Sequence, residues 1–218
     1  MIKRELYLKK IRKLINKEEI KVITGVRRSG KTCLLRLIKE ELLGMGVSEE
    51  NIHYITFESA KFDSIKDYHD LNEYIFKITA DNKGKVYLLF DEIQFVDNWE
   101  KSINAFRVDL NADIYITGSN SDLLTGDLAT LLSGRYIRIN VYPFSFKEIL
   151  DYYKNKGVII TEDKKLKLFN QYLNYGGFPG LLKYDSFEKL DYLRDIFDTI
   201  VLNDILLKNN IKNTHLLQ

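Results

Sequence analysis

Eight residues constrain this chain more than any others: Gly25-Val26-Arg27-Arg28-Ser29-Gly30-Lys31-Thr32. They fit the pattern G-x-x-x-x-G-K-[ST], which by average residue frequencies arises by chance in roughly one chain in a hundred of this length, or fewer. The chain must curl there so that successive backbone N–H groups converge on phosphate oxygens. Glycine permits the dihedral angles and the close approach. The flanks match the demand. Residues 20–24 (Ile-Lys-Val-Ile-Thr) read as a buried strand, and residues 31–43 read as a helix ended by Gly44 and Gly46. A helix opening at Lys31 turns its positive dipole end toward the same anion. Lys31 adds a full charge at the β and γ phosphates, and Thr32 offers a hydroxyl to Mg²⁺. Gly25, Arg27, Arg28, Ser29, Gly30, Lys31, Thr32 and Cys33 form the expected phosphate-binding set. The two arginines are unusual in such a loop, and a phosphate, an acidic partner or a neighbouring subunit is open as their target.

A second element is Val86-Tyr87-Leu88-Leu89-Phe90-Asp91-Glu92. An unbroken apolar run suits a strand covered on both faces. It carries Asp91 to the carboxyl edge of the sheet, where ligands of open α/β sheets bind. Asp91 is expected to hold Mg²⁺ together with Thr32, and Glu92 to polarise the attacking water. A third strand, residues 113–117, is followed by Gly118-Ser119-Asn120, so Ser119 and Asn120 are candidates to reach the γ-phosphate, with Asn120 preferred. The competing reading is a helix cap, a position both residue types favour. Arg135, in Ser133-Gly134-Arg135, is a candidate to stabilise charge on the transferring phosphoryl group, from its own chain or from a neighbour. A surface salt bridge is the alternative.

Strands alternate with helices from residue 20 to residue 141, with further strands at 51–58 and 136–141 and helices at 67–79 and 99–110. That alternation predicts a three-layer α/β sandwich around a mostly parallel five-stranded sheet. After Pro143 only helical patterns remain, at 144–156, 163–175 and 186–207, interrupted by Gly176-Gly177-Phe178-Pro179-Gly180. The expected domains are therefore a nucleotide-binding core at 1–143 and a helical appendage at 144–218. Apolar residues run to Leu217, so the whole protein is expected to continue into a further domain.

Composition places the chain among ordinary globular proteins: 218 residues, 45% hydrophobic, 29% charged, net charge +2. So mild a balance makes no case for nucleic acid. The densest basic stretch, Lys3 to Lys17, lies on one face of a helix expected at 3–16, and a solvated face accounts for it. Cys33 is the sole cysteine. It is expected to pack in its helix rather than react, and no intrachain disulfide can form. No apolar run reaches the ~18 residues of a membrane span. With no signal-peptide core at the amino terminus, the expected location is the cytoplasm.

The order GVRRSGKT, VYLLFDEIQ, YITGSNS, LSGRY and YGGFP resembles the AAA-type P-loop ATPases of bacteria and archaea. More narrowly, it is similar to a prokaryotic branch with an amino-terminal ATPase domain and a carboxyl-terminal nuclease-like domain. The resemblance covers nearly the whole chain. It implies that Gly30, Lys31 and Thr32 bind phosphates and Mg²⁺, that Asp91 and Glu92 are the Walker B pair, and that Asn120 is the sensor residue. Arg135 stands at the Gly-Arg position of the branch. Arg194 is the only arginine after Arg138, so a sensor arginine in the helical part is not evident.

ATP is preferred to GTP, because GTP-specific loops are commonly paired with N-K-x-D and Asn82-Lys83-Gly84-Lys85 lacks the aspartate. Asp91-Glu92 favours hydrolysis over transfer to a small molecule, since kinases must exclude water. Turnover driving a conformational change is the expected function. A slow nucleotide-dependent switch or scaffold is the alternative. DNA, a protein, or a second copy of the chain is open as partner.

Overall fold

The computed structural model describes residues 2–118 and 132–200. Two compact units are present: one of Lys3–Val26 and Lys31–Val141, the other of Arg27–Gly30 and the residues from Tyr142 onward.

In the first unit, the strands are β1 (Ile20–Thr24), β2 (Ile52–Thr56), β3 (Val86–Asp91), β4 (Ala112–Thr117) and β5 (Tyr136–Asn140). They form one sheet in the order β2-β3-β4-β1-β5, every neighbouring pair parallel. The first four helices are α1 (Glu5–Arg12), α2 (Lys31–Gly44), α3 (Tyr68–Thr79) and α4 (Trp99–Asp109). The layering follows from side-chain alternation along the strands. Val86, Leu88 and Phe90 of β3 join Leu71 and Ile75 of α3 and Ile103 and Phe106 of α4 in one buried cluster. Tyr87 and Leu89, between them in sequence, join Leu8 and Ile11 of α1 and Leu34, Leu35, Ile38 and Leu42 of α2 in the other. Each of those leucines and isoleucines contributes about 1.5–3 kcal/mol by leaving water. The expected three-layer sandwich is therefore present, with one helical pair on each face.

Local chemistry sets the ends of the elements. Asp67 caps α3 through the His69 and Asp70 amides, and Asp70 reaches back to the Asp67 amide. Helix α1 is shorter than the apolar spacing predicts. The Lys13 amide already bonds the Lys10 carbonyl, and Asn16 takes a positive φ of 65°, so residues 13–16 form turns.

A buried polar network closes the amino-terminal side of the sheet. Lys21 Nζ donates to Asp113 Oδ1 at 2.6 Å and to the Lys17 carbonyl at 2.6 Å. Asp113 Oδ2 accepts from the Asn16 amide at 2.7 Å and from the Tyr115 hydroxyl at 3.0 Å. Both ionic side chains are fully buried.

The second unit contains α5 (Phe146–Asn155), α6 (Glu162–Tyr175) and α7 (Ser186–Ile200). Ser145 and Glu148 form a capping box at α5. Phe146 stacks on Phe169 and Tyr172 of α6, at ring separations of 5.1 and 5.8 Å. The glycine-rich break is needed for close approach. A Cβ on Gly177 would lie 1.9 Å from the Phe144 carbonyl oxygen, and one on Gly180 would lie 2.0 Å from the Tyr192 hydroxyl.

Candidate nucleotide site

The carboxyl ends of β1, β4 and β3 lie side by side in that order, and the polar residues of the motifs meet there. After Thr24 the chain turns through Gly25 at φ 149°, Arg28 at 62° and Gly30 at 100°, then enters α2 at Lys31. Three left-handed residues in six curl the loop. Lys31 is only 5% exposed. Its ammonium donates to the carbonyls of Gly25 at 3.1 Å and Val26 at 3.4 Å, and lies 4.0 Å from Glu92 Oε1. Carbonyls of its own loop thus hold the buried charge in place. Ser29 is buried and Cys33 is exposed on the first turn of α2. The Arg28 guanidinium lies 5.3 Å from the centre of the Tyr192 ring, inside the second unit.

Asp91 ends β3, 1% exposed. Its Oδ1 accepts from the Thr32 hydroxyl at 3.2 Å and from the Thr117 hydroxyl at 2.6 Å, and its Oδ2 accepts from the Tyr54 hydroxyl at 3.2 Å. Burial pushes the Tyr54 phenol up to about 12, with the Asp91 charge adding to the effect, so it stays protonated and donates. Arg36, one turn beyond Thr32, is raised above the ordinary arginine range by its hydrogen bond to Tyr54.

Glu92 follows in the left-handed region, φ 55° and ψ 53°, where a non-glycine residue persists only if its surroundings hold it. They do: the Glu92 amide donates to Thr117 Oγ1 at 2.9 Å, and its Oε2 accepts from Gln94 Nε2 at 2.5 Å.

Thr32 and Asp91 bring a hydroxyl and a carboxylate oxygen together at the mouth of the loop. Such hard oxygen donors suit Mg²⁺, which binds through one or two protein ligands plus phosphate and water rather than in an all-protein cage. No group of three or more His, Cys, Asp or Glu suited to a metal occurs among the described residues.

Not every expected residue comes to this place. Arg135 does not. It precedes β5, and its carbonyl accepts from the Ile20 amide at the start of β1. Strands β1 and β5 run parallel with Ile20 opposite Tyr136 and Thr24 opposite Asn140. Arg135 therefore sits at the amino-terminal edge, about 20 Å along the strands from the loop, where its Nη1 donates to Asn104 Oδ1 at 3.3 Å. The parallel register thus sets Arg135 apart from the residues gathered at the carboxyl edge. Ser119 and Asn120 lie outside the described residues. Conversely, Thr117, Tyr54 and Gln94 join the site without a motif of their own.

A parallel β2-β3-β4-β1-β5 sheet with a glycine loop between β1 and α2 defines the P-loop NTPase class of α/β fold. The family model described as an AAA domain matches residues 17–150, and the chain belongs to that family. An uncharacterized protein of Haemophilus influenzae is 46% identical over the full chain, which spans 54% of that protein. An uncharacterized protein of Methanocaldococcus jannaschii is 35% identical over 89% of the chain and 44% of its own length. The chain thus spans about half the length of the curated relatives it matches. Among solved structures, AMPPCP-bound DnaA from Aquifex aeolicus is similar in fold, with a TM-score of 0.53 at 17% identity, covering 98% of this chain and 71% of that one. No helix among the described residues is long and apolar enough to cross a membrane.

Proposed function

We propose that the chain binds ATP with Mg²⁺ and hydrolyses it, Glu92 acting as the group that polarises the attacking water. The observation that carries this reading is the meeting of Lys31, Thr32, Asp91 and Glu92 at one sheet edge, with Thr32 and Asp91 3.2 Å apart and Lys31 and Glu92 4.0 Å apart. The loop amides and the Lys31 ammonium grip the β and γ phosphates. Lys31 leaves its loop carbonyls only partly, since three N–H donors let it keep one and still reach an oxygen of the nucleotide. Thr32 and Asp91 would hold Mg²⁺, which when bound neutralises charge on the β and γ oxygens. Glu92, its backbone pinned by Thr117, takes the proton of the water that attacks the γ-phosphorus.

AAA-domain membership and the nucleotide analogue bound to the DnaA neighbour support ATP as the ligand. The place of Arg135 at the amino-terminal edge supports a contribution from a neighbouring copy over one from its own chain. What turnover drives, whether through DNA, a protein or the nuclease-like domain that the sequence resemblance implies, belongs to the whole protein.

The Glu92→Gln protein tests the hydrolytic role. It keeps its affinity for a fluorescent ATP analogue, and its phosphate release falls by about 100-fold or more, the usual size of a lost general base. Release at the original rate would remove Glu92 from the chemistry.

A further inference from the structure

We infer that Gln94 is a positioning residue for hydrolysis, one that orients the Glu92 carboxylate with its amide N–H. The inference rests on the hydrolytic reading above and extends it to a residue that no nucleotide-binding motif contains.

The two ends of the Gln94 side chain differ. Its Nε2 donates to Glu92 Oε2 at 2.5 Å. Its Oε1 is buried and has no hydrogen-bond partner among the described residues. Turned the other way, the amide would set that oxygen against the Glu92 carboxylate, so only the observed orientation offers the base a donor.

The mounting is rigid. Gln94 sits in a short 3-10 turn, Ile93–Phe95. Ile93 is fully buried and Val96 is 1% exposed, so the turn is anchored on both sides of Gln94 in the core cluster that also holds Phe90. Glu92 is anchored on its other side by Thr117. Of the two carboxylate oxygens, Oε2 is engaged by Gln94 and Oε1 faces Lys31 at 4.0 Å. Without the amide, the carboxylate can swing to close an ion pair with Lys31, which would take both groups out of use. Gln94 therefore holds the base and the phosphate-binding lysine apart.

A Gln94→Met protein tests this, because methionine keeps the length and volume and loses both polar ends. It is expected to lower the single-turnover rate of ATP hydrolysis by about tenfold or more, the size of one hydrogen bond to a charged group. The KM and the affinity for a fluorescent ATP analogue stay within about twofold, since neither end touches the phosphates. In the Glu92→Gln background the same change has little further effect, because both substitutions disable one unit. Unchanged turnover in Gln94→Met, or an equal loss in both backgrounds, overturns the positioning role. If the unmodified chain releases phosphate no faster than Glu92→Gln, the hydrolytic reading itself fails and this one falls with it. That arm does not involve Gln94, so the two failures are separable.

Discussion

Replacing Lys31 by alanine is expected to weaken binding of a fluorescent ATP analogue by about 100-fold, or ~2.7 kcal/mol. The size comes from the setting of the ammonium. Lys31 is already stripped of most of its water, at 5% exposure, and is held by the Gly25 and Val26 carbonyls. A phosphate arriving beside it gains a charge-assisted hydrogen bond in a partly dry site, without first ordering a mobile side chain. The loop amides and the opening of α2 remain in the variant and account for the residual affinity. Alanine is the strongest helix former, so the first turn of α2 persists. A thermal melt separates lost affinity from lost fold. Affinity within a few fold of the original would show that the loop does not grip phosphate through this residue.

The second large effect is on stability. Asp113→Ala is expected to lower the unfolding free energy by about 3–5 kcal/mol, read as a fall in the urea midpoint. Asp113 accepts from Lys21, Tyr115 and the Asn16 amide inside a site closed to water. Burial pushes the Lys21 ammonium below the ordinary lysine range even though Asp113 opposes it. Desolvation is therefore the larger influence on this group, and removing Asp113 leaves a buried charge with the Lys17 carbonyl and the face of the Tyr115 ring. The double substitution Asp113→Ala with Lys21→Met removes the orphaned charge and recovers part of the loss. Nucleotide affinity stays the same, because this network lies at the opposite edge of the sheet from the loop. A midpoint unmoved by Asp113→Ala would show that water reaches the pair.

How much of this was legible in the sequence depends on how local each feature is. The glycine loop is one continuous segment, so residue order alone predicted a strand before it and a helix after it, as the structure has them. The place of Asp91 and Glu92 at the end of a buried strand was legible for the same reason, since they close an apolar run. The five parallel strands and the two helical layers followed from strand–helix alternation. Thr117, Tyr54 and Gln94 were not legible. Thr117 reads as an ordinary strand residue, and its position depends on β4 lying between β1 and β3. Tyr54 reads as a partly buried strand aromatic, and its contact with Asp91 comes from β2 pairing with β3. Gln94 lies two residues past Glu92 and needs the left-handed turn at Glu92 to fold its amide back. Arg135 illustrates the reverse case. A Gly-Arg beside a strand does not reveal which end of the sheet it meets, and the parallel register of β5 on β1 carries it to the amino-terminal edge.

Main-chain amides between β1 and α2 are expected to close around a triphosphate. Hydrogen–deuterium exchange measured with and without Mg²⁺ and a non-hydrolysable ATP analogue tests it most directly. The amides of residues 26–33 are predicted to exchange more slowly, by about tenfold or more, once the analogue saturates the chain. Unchanged exchange across that segment, at a concentration where the analogue is bound, would contradict it.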